Sequence, residues 1–270
     1  MIKIKSDREI ELLKTAGHIV WLTHQYLKPY IKAGITTKEL DTLAEKFIRS
    51  KGATPSCKGY EGYPATLCVS INEEVVHGIP STRKLQDGDI VSIDICACFK
   101  GYHGDSAWTY AVGNIDKEKQ YLMEHTKESL YEGLSKIKPG NKIGDISNAV
   151  QTYAESHKLG VVKELVGHGV GTNLHEEPDV PNYGKKGTGP ILKEGMVIAV
   201  EPMLTLGSPD IYILDDGWTI LTDDDSPSAH FEHTVVVTKD GYEILTGEWK
   251  DGKRRYNWSW RKSCRNNTRW

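Results

Sequence analysis

No apolar run in this 270-residue chain approaches the length of a membrane span. The opening Met1-Ile2-Lys3-Ile4-Lys5 leads into a charged helical pattern, not into the apolar core of a secretory leader. A membrane or exported protein is therefore not expected. A disulfide framework is missing too, since five cysteines form an odd set without framework spacing. Reduced thiols in a cytoplasmic protein fit that count better. No cysteine pair has zinc-finger spacing, which argues against a closed structural zinc. Acid is scarce at one end only. Residues 250–270 carry eight basic side chains against Asp251, a net +7, leaving −10 for residues 1–249 of a chain at −3. That end also holds Trp258, Trp260 and Trp270. It lacks periodicity and reads as a disordered appendage, with an RNA-binding or acidic-surface contact as the alternative. Neither DNA nor a membrane is an expected partner.

What is present suffices for a sizeable core, with 38% apolar residues. Ser6-Asp7-Arg8-Glu9 is a capping-box start, and Leu12, Leu13, Ala16, Ile19, Val20 and Leu27 follow at helical spacing. A long helix to about Tyr30 is predicted. Thr36 and Glu39 open a second helix with the stripe Leu40, Leu43, Ala44, Phe47 and Ile48, closed by Gly52. The pattern then recurs 106 residues later. Ile137-Lys138-Pro139-Gly140 matches Ile31-Lys32-Ala33-Gly34, and Ile146, Val150 and Tyr153 match Leu40, Ala44 and Phe47. Helices are predicted over 116–138 and about 143–157. Strands are predicted at 90–98, 105–112, 197–204 and 231–238, with shorter pieces at 67–71 and near 75–76. Helix pairs each followed by strands suggest an α+β fold of two related halves, about 1–115 and 116–249, with a ligand site between them. Chance similarity of amphipathic helices is the competing explanation.

The chemistry gathers around Asp94 to Asp105. Val91, Ile93, Ile95 and Ala97 alternate with Ser92, Asp94, Cys96 and Cys98 as in a strand. A fold back near Phe99–Lys100 would make Asp94 and Asp105 cross-strand neighbours on one face. Facing carboxylates repel unless a cation or a shared proton lies between them. Solvated strand ends are the plain alternative, but Asp94 sits within an apolar run, where a lone charge is costly. Further along, Gly167-His168-Gly169 projects an imidazole between glycines, and Glu201 follows an apolar run before Pro202. Glu232 opens the apolar strand Thr234–Val237. Each alone is more often structural or solvated. Together Asp94, Asp105, His168, Glu201 and Glu232 offer four carboxylates and one imidazole, enough to hold two divalent metal ions. Such a set suits Co, Mn, Fe or Zn. Paired ions lower the pKa of a shared water and polarise a carbonyl. His175 is a candidate oxyanion donor and His77 a candidate donor to substrate. His18, His24, His125 and His157 lie on predicted helices and read as solvated or packing residues. His103, His230 and His233 are not assigned.

Several motifs together resemble the type I bacterial methionine aminopeptidases over roughly residues 3–247. They are Gly101-Tyr102-His103-Gly104-Asp105 after Ile93-Asp94, Gly167-His168-Gly169-Val170-Gly171, His175-Glu176-Glu177-Pro178, Val200-Glu201-Pro202-Met203 and Phe231-Glu232-His233-Thr234. The resemblance implies the pita-bread fold around a central metal site. It implies that Asp94 chelates, that Asp105 and Glu232 bridge, and that His168 and Glu201 hold the second metal. Glu201 is then also the proton acceptor from the attacking water, and His175 and His77 contact the substrate around the scissile bond. Cys57, Tyr60, Tyr63, Cys68 and Trp218 match positions around the substrate's methionine side chain, which thiols and aromatic edges suit. Without the family, that loop reads as turns with packing aromatics. Leu174 stands where the family often has Phe, so the pocket wall and the affinity should differ, but not the reaction. The 25 residues between His175 and Glu201 leave no room for the type II helical insertion, and no N-terminal zinc-binding extension is expected.

The implied activity is removal of the initiator methionine from the N-termini of nascent polypeptides, a small second residue preferred, by a metal-bridging hydroxide. A cytoplasmic monomer is expected, with ribosome docking through the basic tail as a further expectation. The rivals are a proline-directed aminopeptidase or dipeptidase on the same fold, and a binding module that has lost its metals.

Overall fold

A computed structural model describes residues 1–248. The tail at 250–270 lies outside the described residues. Helix α1 spans Asp7–Leu27 with its Ser6/Glu9 capping box formed, and a 3₁₀ turn, Lys28–Tyr30, completes the predicted stretch. Helix α2, Thr37–Ser50, starts on a second capping box, Thr36 with Glu39. Five strands follow: β1 Thr54–Pro55, β2 Leu67–Ile71, β3 Glu74–Val76, β4 Ile90–Phe99 and β5 Tyr102–Ala111. Asp116 caps α3, Lys117–Leu134, and α4 is Ile143–Ser156. The remaining strands are β6 Gly160–Val161, β7 Val166–Gly169, β8 Glu176–Pro181, β9 Val197–Val200, β10 Met203–Thr205, β11 Ile211–Ile213, β12 Ile220–Thr222, β13 Ser228–His230, β14 His233–Thr238 and β15 Gly241–Ile244.

Each helix pair backs a sheet. Ile19, Val20, Leu27, Leu40, Ala44 and Ile48 from α1 and α2 pack on the alternate residues Val91, Ile93 and Ile95 of β4 and on β2. This buries one face of β4 and leaves Ser92, Asp94 and Cys96 on the other, as a period of two requires. Leu122, Leu130, Leu134, Ile146 and Ala154 from α3 and α4 pack on Ile198, Val200, Val235 and Val237 of a five-stranded sheet ordered β15-β14-β9-β7-β8.

The β4–β5 hairpin differs from expectation in register. Lys100 (φ 50°) and Gly101 (φ 83°) form a two-residue loop with both residues left-handed, which suits the twist of a tight hairpin. Phe99 therefore pairs with Tyr102, and Asp105 lies opposite Cys96. Asp94 lies opposite Ala107, so the two aspartates share a face as diagonal neighbours and are not a direct pair. The chain leaves β9 at Glu201-Pro202 and enters β10 in another sheet, consistent with a proline that cannot donate to the ladder.

The two sheets are joined where β5 runs beside residues 230–234. Glu232 N–H donates to Ala107 O (2.8 Å), Ser106 Oγ to Glu232 O (2.7 Å), and Asp105 N–H to Thr234 Oγ1 (3.1 Å). Thr234 Oγ1 in turn donates to Asp105 O (2.7 Å). Side chains on two sheets are thus held in one cleft.

Candidate metal centre

Five strands deliver the donor groups. Asp94 comes from the middle of β4 and Asp105 from β5, on the face away from α1 and α2. Glu201 follows the last residue of β9 and Glu232 precedes the first residue of β14. Val200 and His233 are paired, so the two glutamates leave the ladder side by side. His168 sits at the irregularity in the β7–β8 pairing. Its flanking glycines are required by close backbone approach: a Cβ at Gly167 would strike the Ala199 carbonyl, and one at Gly169 the Glu177 carbonyl.

All five groups meet. His168 Nε2 lies 3.6 Å from Asp105 Oδ2 and 3.5 Å from Glu201 Oε1. Asp94 with Asp105 and Cys96, Asp105 with His168 and His175, and His168 with Glu201 and Glu232 form three overlapping clusters of ligand atoms. Asp105, His168 and Glu232 are buried, while Asp94 and Glu201 are partly buried. Burial, and then the charge of Asp105, pushes the Asp94 carboxyl well above its usual range. Burial, then Asp105, Glu201 and Asp94, does the same for Glu232. Burial above all raises Asp105 and Glu201 to about 8. Burial, with His175 adding to it, lowers His168 to about 3, so its imidazole is neutral and able to ligate.

A divalent cation suits this set. Carboxylates that resist sharing a cleft become mutually tolerable around positive charge, and the imidazole is already deprotonated. Glu232 Oε1 is buried without a hydrogen-bond partner, as is His230 Nε2, which faces Glu201 Oε2 at 3.6 Å. An orphaned carboxylate oxygen among other donors is what a ligand position looks like. The sequence alone assigns His230 no role, and its place beside Glu201 depends on the β13 pairing that only the fold reveals.

The remaining sequence candidates line the same cleft. His175 Nδ1 is 2.7 Å from Tyr60 Oη, and its ring stands edge-on to His168 at 4.2 Å between centroids. His175 is solvent-exposed, and the desolvation it does undergo lowers its imidazole below the usual value. His77 adopts φ 59°, an uncommon conformation for a non-glycine residue, and its ring meets Trp218 at 6.3 Å. Burial lowers it to about 4. Cys57, Tyr63, Cys68 and Leu174 are buried together, with Tyr60 and Trp218 packed against them. Tyr63 Oη donates within reach of both Leu67 O and Gly78 O, at 3.0 Å each, and its ring is edge-on to Trp218 at 5.1 Å. One member of this wall was missed: Cys96 is buried in the same cluster. The signal was present in the alternation that puts residues 94 and 96 on one face.

Comparison with known proteins agrees with this arrangement. Residues 11–239 match the model of metallopeptidase family M24. The chain is 55% identical over 246 residues to methionine aminopeptidase 1 of Bacillus subtilis, covering 91% of this chain and 99% of that one. It is 49% identical to the methionine aminopeptidase of Clostridium perfringens, with the same coverage. The crystal structure of methionine aminopeptidase from Rickettsia prowazekii superposes with a TM-score of 0.91 at 42% identity, covering 92% of this chain and all of that one. Prolidase from Pyrococcus furiosus, at 24% identity and TM-score 0.73, covers 92% of this chain and 66% of that one and shares the fold alone. The architecture is the pita-bread fold common to these enzymes. The chain belongs to metallopeptidase family M24, among its methionine aminopeptidases.

Proposed function

We propose that the protein removes the initiator methionine from nascent proteins and peptides, with a small second residue preferred. The observation that carries this reading is one cleft holding both the donor set and, on its wall, the pocket of Cys57, Tyr63, Cys68, Leu174 and Trp218. A metallopeptidase works with divalent ions, and in this reading there are two, of Co, Mn, Fe or Zn, held by Asp94, Asp105, His168, Glu201 and Glu232. When bound, such ions make water acidic enough to act as a nucleophile near neutral pH and polarise the substrate carbonyl.

The chain's own residues supply the rest. Glu201 takes the proton of the attacking water. Its carboxylate, among the donor groups of the cleft, would then pass that proton to the departing amine. If Tyr60 Oη donates to His175 Nδ1, the proton of the neutral imidazole resides on Nε2. His175 Nε2 is then the donor to the developing oxyanion, and His77 donates to the substrate amide. The thiols and aromatic edges select a thioether by shape and polarizability.

Residues 1–249 act as one catalytic unit, in halves that meet at the cleft, and as a monomer. Among the described residues no helix is long and apolar enough to cross a membrane. In this reading the enzyme works on nascent chains in the cytoplasm, where Arg254, Arg255, Arg261 and Lys262 of the tail help dock it on ribosomal RNA. Deleting residues 250–270 should weaken ribosome co-sedimentation at low salt, and unchanged binding rejects the docking role.

The test against the prolidases is a panel of Met-Ala, Xaa-Pro and Ala-Pro peptides with metal-loaded protein. Cleavage of the Met-Ala member is expected. Preference for the proline members would replace this reading with a proline-directed one. A protein that takes up no metal would be a binding module instead.

A further inference from the structure

The wall shared by the apolar pocket and the carboxylates contains a side chain that the roles above do not use. Cys96 follows Asp94 by two residues on β4 and lies opposite Asp105 on β5, so its thiol projects to the same face as both. It is 2% exposed. Its Sγ is 2.9 Å from Asp105 Oδ1 and 3.7 Å from Asp94 Oδ1. One ligand atom from each of the three lies within 4.8 Å of the other two. A metal–sulfur bond of about 2.3 Å and a metal–oxygen bond of about 2.1 Å, at the tetrahedral angle, put sulfur and oxygen about 3.6 Å apart. The Cys96–Asp94 separation already has that length. Buried thiols usually serve as small apolar packing groups, and Cys57 and Cys68 fit that use in the same pocket. Cys96 differs because carboxylate oxygens face its sulfur.

We propose that Cys96 is a sulfur ligand to the metal ion held by Asp94 and Asp105. The inference rests on the reading of those two aspartates as metal ligands. On binding, the S–H bond is replaced by a sulfur–metal bond and the proton leaves to solvent. The metal keeps its oxidation state. A thiolate makes the position softer, favouring Zn, Fe(II) and Co(II) over Mn(II) among ions that the oxygen donors accept about equally well.

The test is anaerobic titration of chelator-stripped, full-length protein with Co(II), followed by absorption. Cys96→Ser, Cys68→Ser and Asp105→Ala are titrated alongside. The wild type should develop visible d–d bands together with a near-ultraviolet sulfur-to-cobalt charge-transfer band. Cys96→Ser should keep the visible bands and lose the charge-transfer band, Cys68→Ser should keep both, and Asp105→Ala should lose both. Visible bands without charge transfer in the wild type would overturn the sulfur ligand and leave the metal centre standing. A charge-transfer band that survives Cys96→Ser would overturn it equally. Failure to take up cobalt at all would remove the reading of the aspartates and the sulfur ligand together. Cys96→Ala serves if the serine variant does not fold. In either variant Zn(II) affinity should fall by about tenfold or more, the scale of lost support at a metal site, with a smaller change for Mn(II).

Discussion

In the proposed mechanism Tyr60 acts through one hydrogen bond. In that mechanism its hydroxyl, 2.7 Å from His175 Nδ1, donates there and leaves Nε2–H for the oxyanion. Tyr60→Phe should lower kcat about tenfold with little change in KM, the scale of one lost orienting hydrogen bond. His175→Ala, which removes the donor itself, should cost about 10²–10³ in kcat. Steady-state kinetics on a Met-Ala peptide separates the two. Leu174 offers a different readout, because it is buried among Cys57, Tyr63, Cys68 and Cys96 and makes no polar contact that the reaction needs. Leu174→Phe should move KM and leave kcat nearly unchanged. Tyr60 and Leu174 are read only through the family resemblance, whereas Asp94, His168 and Glu201 are legible in the sequence because each interrupts a local rule: a charge inside an apolar strand, an imidazole between glycines, a carboxylate before proline. Cys96 obeys its rule. A thiol in an apolar strand looks like packing, and only the pairing with Asp105 shows what it faces.

At the scale of elements, the site depends on how closely backbones pass. Gly17 in α1 lies against the Leu245 carbonyl, and an added Cβ would come within 2.5 Å of that oxygen. Alanine would gain about 1 kcal/mol of helix propensity, but the clash costs about 1–3 kcal/mol and is with backbone, which cannot rotate away. Gly17→Ala should therefore lower Tm. Thr234 joins the sheets by accepting from Asp105 N–H and donating to Asp105 O. Thr234→Val keeps the shape but strands a buried N–H, so denaturant unfolding should show a loss of about 1–3 kcal/mol. Helices α1 to α4 were readable because their caps and apolar stripes are local signals. The Asp94–Asp105 register was not, because it is set by the backbone conformation of Lys100 and Gly101. Strands of two to four residues, such as β6, β7 and β11, are too short to show a period and exist through their neighbours.

Across the whole molecule, the N-terminal segment straps down the loop that carries His175. Lys5 Nζ donates to Glu176 Oε2 at 2.6 Å, with both side chains about 5% exposed, and Lys3 Nζ reaches Glu176 Oε1 at 3.2 Å. Burial alone would raise the Glu176 carboxyl, but Lys5, the Asn173 N–H and Lys3 outweigh it and bring the pKa down to about 2 from an ordinary 4.5. A depressed carboxylate stabilises the fold fully above the unfolded value. That contribution fades as pH falls from about 4.5 through about 2. Glu176→Gln should lose stability at pH 7 and show a flatter decline in stability over that acid window, as read by unfolding at a series of pH values.

The most direct measurement of the central claim is cleavage of Met-Ala-Ser beside Leu-Ala-Ser and Met-Lys-Ser. Chelator-stripped protein is assayed with and without added Mn(II) or Co(II), and Asp105→Ala is run in parallel. Metal-dependent cleavage of Met-Ala-Ser alone, absent from the variant, is the predicted result. No turnover with any metal, or equal cleavage of all three peptides, would contradict the reading of this cleft as a methionine-selective metallopeptidase site.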